Sequence, residues 1–437
     1  MLRSNPSMSV SGRRSGLTIV IPRLGLMMIA LTVLPGCPGM TMDDGIPFSL
    51  VELTAAAPVS FAAPIMTTLH DDASATATHL TPIQATDMDG DGRMDLFAAL
   101  NESTRVGLAF GAGDGSFTQA APTAGFAYGN AVFGDTDNDG LLDIFVKAFT
   151  GDESLQLLLA QMGRTFDAQS PDDGFEVGDR VYPARDFDGD GDLDVVFVRR
   201  LESFDGQDLI QFDILNGRGD GTLFPPVPFS SFSLTGASIT GEIGPVAFGD
   251  FNGDGAGDFV VVFNSDNPSV VIGIANVGMT GIDTYQVTRL GFDNVVMAIA
   301  VDLNNDNLDD LILQEQRPAG ASEGGEDVNI HFTQPDGSFD VGSIRPSGLP
   351  RSVSVGQLTD DDFPDIAIMT GLDPANPGPV AIYVNLGTDR FALEQTLDVS
   401  ALASPFHTCI TDVNGDGMGD LVVGDTSNQD VAIFVQE

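Results

Sequence analysis

The chain has little of what most proteins use to cross-link themselves or to act on a substrate. Its 437 residues include two cysteines, no tryptophan, four tyrosines, four histidines and a single lysine, Lys147. Two cysteines leave no disulfide framework. Eighteen Lys and Arg stand against 63 Asp and Glu, a formal net charge of −45. That balance excludes nucleic acid as a partner, because phosphate binding needs clustered cations. His70, His79, His331 and His407 are scattered, and no His-Glu-x-x-His pair or Gly-x-Ser-x-Gly nucleophile turn is present. Sugar-stacking aromatics are scarce, while the 29 phenylalanines suit a core. No apolar run at helical spacing follows residue 57, so helices should be few.

What the chain has in excess is acid at fixed intervals. A pattern Asp-x-Asp/Asn-x-Asp-Gly-x-x-Asp, followed by an apolar residue, starts at Asp87, Asp135, Asp186, Asp250, Asp302, Gln357 and Asp412. A period of about 50 residues fits four short strands and their turns, one blade of a propeller. Each unit reads alike. An apolar lead-in such as Pro245–Phe248 precedes the loop, and a β-branched run such as Phe259–Phe263 follows it. A glycine turn and a phenylalanine come next, as in Gly113–Phe117 and Asp336–Phe339. The pattern predicts an all-β, seven-bladed β-propeller of four-stranded antiparallel blades. After the seventh loop only two strands fit, over Leu421–Gly424 and Val431–Val435. The β-like stretch Pro58–Leu69 is expected to supply the missing outer strand, closing the ring and removing an open edge. The alternative is a six-bladed ring with a stray strand.

Alternating carboxylates followed by glycine are what a hard, oxygen-seeking cation such as Ca²⁺ requires. Side-chain oxygens come from positions 1, 3 and 5, glycine at position 6 allows the turn, and Asp at position 9 closes the shell. Copies one to three offer four carboxylates each: Asp87, Asp89, Asp91, Asp95; Asp135, Asp137, Asp139, Asp143; and Asp186, Asp188, Asp190, Asp194. Copies four and seven carry Asn at position 3: Asp250, Asn252, Asp254, Asp258 and Asp412, Asn414, Asp416, Asp420. Copy five is Asp302, Asn304, Asp306, Asp310, with Asn307 in place of the glycine. Asn tolerates left-handed backbone better than most residues. Copy six has Gln357 and Thr359 at positions 1 and 3 and Asp362 at position 6, so the Gln357–Asp365 loop is expected to stay empty. About six Ca²⁺ sites follow from this reading.

With Phe110-Gly111, Phe133-Gly134 and Phe248-Gly249 beside these loops, the chain resembles the FG-GAP/VCBS repeat family. Those are the calcium-binding propeller repeats of integrin α-subunit heads and of many bacterial secreted proteins. The resemblance spans roughly residues 58–437. It implies a seven-bladed propeller with structural calcium and no particular activity. Arg218-Gly-Asp220 lies inside the repeat's own glycine turn and reads as that turn. The expected role is a protein- or glycan-binding module, monomeric. The alternative is a polysaccharide lyase or hydrolase with its site at the channel mouth.

The N-terminus differs in kind. Arg3, Arg13, Arg14 and Arg23 precede the apolar run Leu24–Leu34, too short for a convincing membrane span. It ends in Leu34-Pro-Gly-Cys37, which resembles the lipobox of bacterial lipoproteins. The domain reading is therefore a signal peptide over 1–36, a tether over 37–56 and the propeller over 57–437. The expected location is extracytoplasmic, anchored to the cell envelope by lipid on Cys37. Cys409, in an apolar lead-in, is expected to pack as a small hydrophobe. Cys37→Ser should release the chain from the membrane fraction; unchanged membrane association would mean that lipid on Cys37 is not the anchor.

Overall fold

The computed structural model describes residues 59–437 except 70–78, 81–82, 102–105, 120–127, 149–154, 162–164, 170–179, 186–191, 203–207, 224–226, 234–241, 254, 256–257, 265–268, 276–281, 290–294, 316–327, 374–375, 388–389 and 428–429. The signal peptide, tether and Cys37 lie outside these residues. Among the described residues every regular element is a strand.

β1 (Ile65–Thr68) comes first in the chain. β2 (His79–Leu80), β3 (Gln84–Thr86), β4 (Asp95–Asn101), β5 (Val106–Gly111) and β6 (Phe117–Gln119) make sheet one, in which β2 and β3 both pair with β4. Sheet two is β7 (Tyr128–Gly134), β8 (Asp143–Ala148), β9 (Leu155–Gln161) and β10 (Thr165–Gln169). Sheet three is β11 (Arg180–Arg185), β12 (Asp194–Glu202), β13 (Asp208–Leu215) and β14 (Val227–Ser233). Sheet four is β15 (Glu242–Gly249), β16 (Asp258–Asn264), β17 (Ser269–Ala275) and β18 (Ile282–Arg289). Sheet five is β19 (Val295–Val301), β20 (Asp310–Glu315), β21 (Val328–Thr333) and β22 (Phe339–Ile344). Sheet six is β23 (Pro350–Gly356), β24 (Asp365–Asp373), β25 (Asn376–Asn385) and β26 (Phe391–Leu397). Sheet seven is β27 (Pro405–Thr411), β28 (Asp420–Asp425) and β29 (Asp430–Phe434), with β1 as its fourth strand.

All pairings are antiparallel, and each acidic loop joins the first strand of a sheet to the second. β1 pairs with β29 in register Ile65–Ile433 to Thr68–Asp430, extended by a bridge between Phe61 and Gln436. The strand is thus shorter than Pro58–Leu69 but lies on the expected partner.

Burial follows strand position. β21 and β28 are buried at every residue. The outer strands β22 and β26 mix part-buried and exposed residues, and Ile344 at the end of β22 is buried. β21 is buried on both faces although it alternates apolar Val328, Ile330 and Phe332 with polar Asn329, His331 and Thr333. The cores lie between sheets. Val260 and Val262 pack with Leu311 and Leu313 between sheets four and five. Ile312, Ile330, Ile366 and Ile368 fill the gap between five and six. Ala367, Ile382, Leu421 and Val423 lie between six and seven. The last sheet packs on the first through Leu96, Ala98, Val422, Val431 and Ile433, with Ile65 and Cys409 against them. Each fully buried Val, Leu or Ile contributes roughly 1.5–3 kcal/mol. Glycine is required where loop seven passes loop six: a Cβ on Gly419 would run into the Gln357 carbonyl oxygen.

Deleting residues 59–69 removes β1 together with buried Val59 and Leu69. The variant should aggregate or unfold without cooperativity, because β29 becomes a bare edge. A soluble, monomeric deletion variant with the parent's melting temperature would show that β1 is dispensable.

Candidate metal centres

Each loop is organised by its last aspartate. Asp95, Asp143, Asp194, Asp258, Asp310, Asp365 and Asp420 are all buried, at 0–1 % exposure. One oxygen of the closing carboxylate accepts the backbone N–H of loop position 2: Met88 at 3.0 Å, Thr136 at 2.8 Å, Phe251 at 2.9 Å, Leu303 at 3.1 Å, Leu358 at 3.0 Å and Val413 at 2.9 Å. The other oxygen accepts an N–H at or just beyond the end of the third strand: Gly111, Ala160, Gly217, Thr333, Asn385 and Gln436, at 2.8–2.9 Å. Position 9 is expected to close the cation's shell, and the geometry gives it a further role. The carboxylate is first a strut that ties the loop, the second strand and the third strand together.

Position 1 works inside the loop. Asp87 accepts from Asp91 N at 3.1 Å and Gly92 N at 2.8 Å. Asp135, Asp302 and Asp412 repeat both bonds, and Asp250 accepts from Gly253 N and Gly255 N. Position 5 turns back to position 7, as in Arg93 N to Asp91 at 3.0 Å and Met418 N to Asp416 at 2.8 Å. These bonds curl the loop so that its carboxylates converge. Ligand oxygens of Asp87, Asp89 and Asp95 lie within 4.8 Å of one another, as do those of Asp135, Asp137 and Asp143. Ca²⁺ takes oxygens at 2.3–2.6 Å, so oxygens about 5 Å apart can share one ion. The residues therefore fit the cation. Burial is the chief cause that pushes the Asp95 carboxyl up to about 6 and Asp310 up to about 7, with neighbouring carboxylates adding to it. Asp143 and Asp420 are raised for the same first cause, as is Asp137.

Two features escaped the sequence reading. Position 4 needs left-handed backbone as much as position 6: Gly90, Asn138, Gly253, Asn305 and Gly415 have φ of 71°, 57°, 76°, 59° and 77°. Asn307 at φ 67° fills the glycine place of loop five as expected. Position 2 is a plug. Met88, Thr136, Phe251, Leu303, Leu358 and Val413 are all buried, and the absence of charge at that position in every copy was the available signal. Its carbonyl also receives the next unit: Gly221 N to Thr136 O at 3.0 Å, Asn385 Nδ2 to Leu303 O at 2.7 Å and Gln436 Nε2 to Leu358 O at 2.9 Å. The first of these comes from Gly221, directly after Arg218-Gly-Asp220, whose Asp220 caps its own turn by accepting from Thr222 N and Oγ1.

Loop six is built differently. Gln357 Nε2 donates to Thr359 O at 2.8 Å, and none of residues 357–365 has a left-handed backbone. Asp365 nevertheless keeps its strut role and adds bonds from Thr359 N and Oγ1. Asp186, Asp188, Asp190 and Asp254 lie outside the described residues, while Asn252, Asn304 and Asn414 occupy position 3. His407 is buried against Phe406, and the His79 side chain lies outside the described residues.

Two measurements test this geometry. Asp365→Ala strands three buried backbone N–H groups, each costing about 1–3 kcal/mol, so it should destabilise by about 3 kcal/mol or more without any metal; Thr359→Ala should cost about 1 kcal/mol. A loss below about 1 kcal/mol for Asp365→Ala in denaturant unfolding would remove the strut. The second concerns pH. The folded pKa of Asp95 and Asp310 lies above the unfolded value near 3.9, so the metal-free fold holds extra protons between about pH 4 and 7. That contribution is full at low pH and is lost as pH rises through 6–7. A bound calcium ion would have to displace those protons, so the melting increment given by calcium over chelator should be larger at pH 7.5 than at pH 5. His331, held down at about 4 by burial, loses stability as pH falls, but equally in both conditions, so it drops out of the difference. An increment independent of pH would contradict the assignment.

No curated protein matches the chain. The sequence model of the FG-GAP-like repeat matches residues 87–146 and 186–261, which contain loops one to four, and over those residues the chain carries FG-GAP-like repeats.

Proposed function

We propose that the chain is a calcium-stabilised, extracytoplasmic binding module, anchored by lipid on Cys37, in which the seven sheets are the blades of one propeller closed by the β1–β29 pairing. The observation that carries this reading is the convergence of three carboxylates in each of loops one and two, with oxygens within 4.8 Å. Three like charges at that spacing repel, and a divalent cation removes the repulsion. Asp302, Asn304, Asp306 and Asp310 share the same loop hydrogen bonds, as do Asp412, Asn414, Asp416 and Asp420. They would hold an ion likewise, as would the loops at Asp186 and Asp250, for about six sites; loop six would stay empty. The ion would be structural. It would stiffen the loop end of each blade and the carbonyl contacts to the next one. FG-GAP-like repeats support a propeller that binds rather than one defined by a reaction, and the partner would be a protein or a glycan met outside the cytoplasm.

A ligand that binds only the folded state adds RT ln(1 + [L]/Kd) per site. With Kd of 10⁻⁴–10⁻³ M, typical of extracellular calcium modules, ~2 mM calcium contributes about 0.6–1.8 kcal/mol per site. Chelation should therefore lower the melting temperature strongly. Magnesium should restore it poorly, because these loops offer a large, flexible oxygen shell. Capture of surface partners or glycans should be lost in the same chelated sample. Unchanged melting in EDTA, with no calcium heat in calorimetry, would end the metal reading.

A further inference from the structure

The chain holds three Asn-Gly pairs, at Asn216, Asn252 and Asn414, and the last two occupy positions 3 and 4 of acidic loops. Asparagine is among the thermolabile residues, and a following glycine leaves the next backbone nitrogen without a side chain to hinder its attack on the amide carbon. In a folded chain the surroundings of that nitrogen decide whether the attack occurs, and they differ among the three pairs. Gly217 is closed in: a Cβ there would run into the Leu193 carbonyl oxygen, and its N–H is held at 2.9 Å by buried Asp194. Gly253 lies against the next loop, where a Cβ would meet Leu308 Cδ2 at 3.1 Å. Gly415 is exposed, and beyond its chain neighbours no described atom lies within 4 Å of where a Cβ would sit.

Loop seven also surrounds this open peptide with the groups the reaction needs. Gly415 N donates to Asp412 Oδ1 at 2.7 Å, Asp416 N donates to Asn414 Oδ1 at 2.9 Å, and Asn414 Nδ2 donates to Asp416 Oδ2 at 2.9 Å. A carboxylate within hydrogen-bond reach of the attacking nitrogen is placed to take its proton. A backbone N–H on the amide oxygen stabilises the negative charge that grows there as the nitrogen adds. Asp416 Oδ2 holds the nitrogen that must leave. Loop five carries the first two of these bonds on Asn304, from Asn305 N to Asp302 Oδ1 at 2.7 Å and from Asp306 N to Asn304 Oδ1 at 3.1 Å. Its position 4 is Asn305, however, whose side chain is tied to the Asp362 carbonyl at 2.8 Å and flanks the nitrogen. Loop five is therefore the built-in control.

We propose that Asn414 is a self-deamidation site, at which loop seven converts its own position 3 from an amide to a carboxylate. The Gly415 nitrogen attacks Asn414 Cγ, and its proton passes to Asp412 and on to the departing nitrogen. The Cγ–Nδ2 bond breaks, ammonia leaves and a cyclic imide remains. Water opens the imide at either carbonyl and leaves aspartate or isoaspartate. The sum is a hydrolysis, one water taken up for each ammonia released, with no oxidant, reductant or cation required. Either product adds one negative charge. The aspartate form gives loop seven the carboxylate that loops one and two carry at Asp89 and Asp137. The isoaspartate form lengthens the backbone between positions 3 and 4 by one methylene. Loop seven thus acquires after synthesis a charge that other copies have encoded.

The test holds the purified chain at neutral pH in EDTA and in water enriched in oxygen-18, then maps its peptides by mass spectrometry. The label separates conversion during the incubation from conversion during digestion. Asn414 should convert about tenfold or more faster than Asn216 and Asn304, with Asn252 between them. It should also convert faster than in an isolated peptide of residues 412–418, whereas Asn216 should be slower in the chain than in a peptide of its own segment. Asp412→Asn keeps a hydrogen-bond acceptor and loses the base, so it should slow Asn414 by about tenfold or more. The comparison of parent chain with peptide reads the same assistance without a variant, should Asp412→Asn loosen the loop. Conversion of Asn414 no faster than of Asn304, or no faster in the chain than in the peptide, overturns the proposal. An unchanged rate in a folded Asp412→Asn chain overturns it too.

Discussion

A buried carboxylate with both oxygens accepting backbone N–H groups is the constraint on which this structure depends. Among the described residues it joins a loop, the strand after it and the strand after that in five of the seven units. A β-sheet of four strands has no reason of its own to begin its second strand at a defined residue. The closing aspartate supplies one. Removing it leaves two or three donors in a dry site, a larger loss than the net worth of the bonds themselves. Evolution can therefore change the rest of the loop more freely than this residue. Loop six shows it: Gln357 and Thr359 replace the acids and the glycine is gone, yet Asp365 keeps every strut bond and gains two.

The same residue bears on how such a loop could hold a cation. Burial raises the carboxyl group and the neighbouring aspartates raise it further, so the metal-free loop is poised between holding a proton and holding a cation. The proposed calcium would resolve that conflict at neutral pH. It would also act beyond one loop. The carbonyl at position 2, next to the first ligand, is an acceptor for the following unit in three of the described junctions. Order in a loop and order between neighbouring sheets are thus coupled through one peptide group.

Much of this was legible in the sequence. The period of about 50 residues, the β-branched runs and the glycine turns set the sheets and their order. The short count of strands after Asp420 pointed to the segment that contains β1. Asn307 in place of glycine was read as left-handed and is. What stayed hidden shares a physical cause. The strut role of the closing aspartate depends on which N–H groups face it across 16–23 residues of chain, and a linear pattern does not show that. The plug at position 2 was written as an unconstrained residue because its burial comes from a neighbouring sheet.

The central claim is that the aspartate strut holds each sheet whether or not an ion is bound, while calcium orders the loop above it. Amide hydrogen exchange on the mature chain in calcium and in EDTA separates the two. The N–H groups of Gly111, Thr333, Asn385 and Gln436 should stay protected in both conditions, and those of Asp91, Gly92, Asp416 and Gly417 should gain protection only with calcium. Loss of protection at Asn385 and Gln436 on chelation would contradict the account, as would loop amides indifferent to calcium.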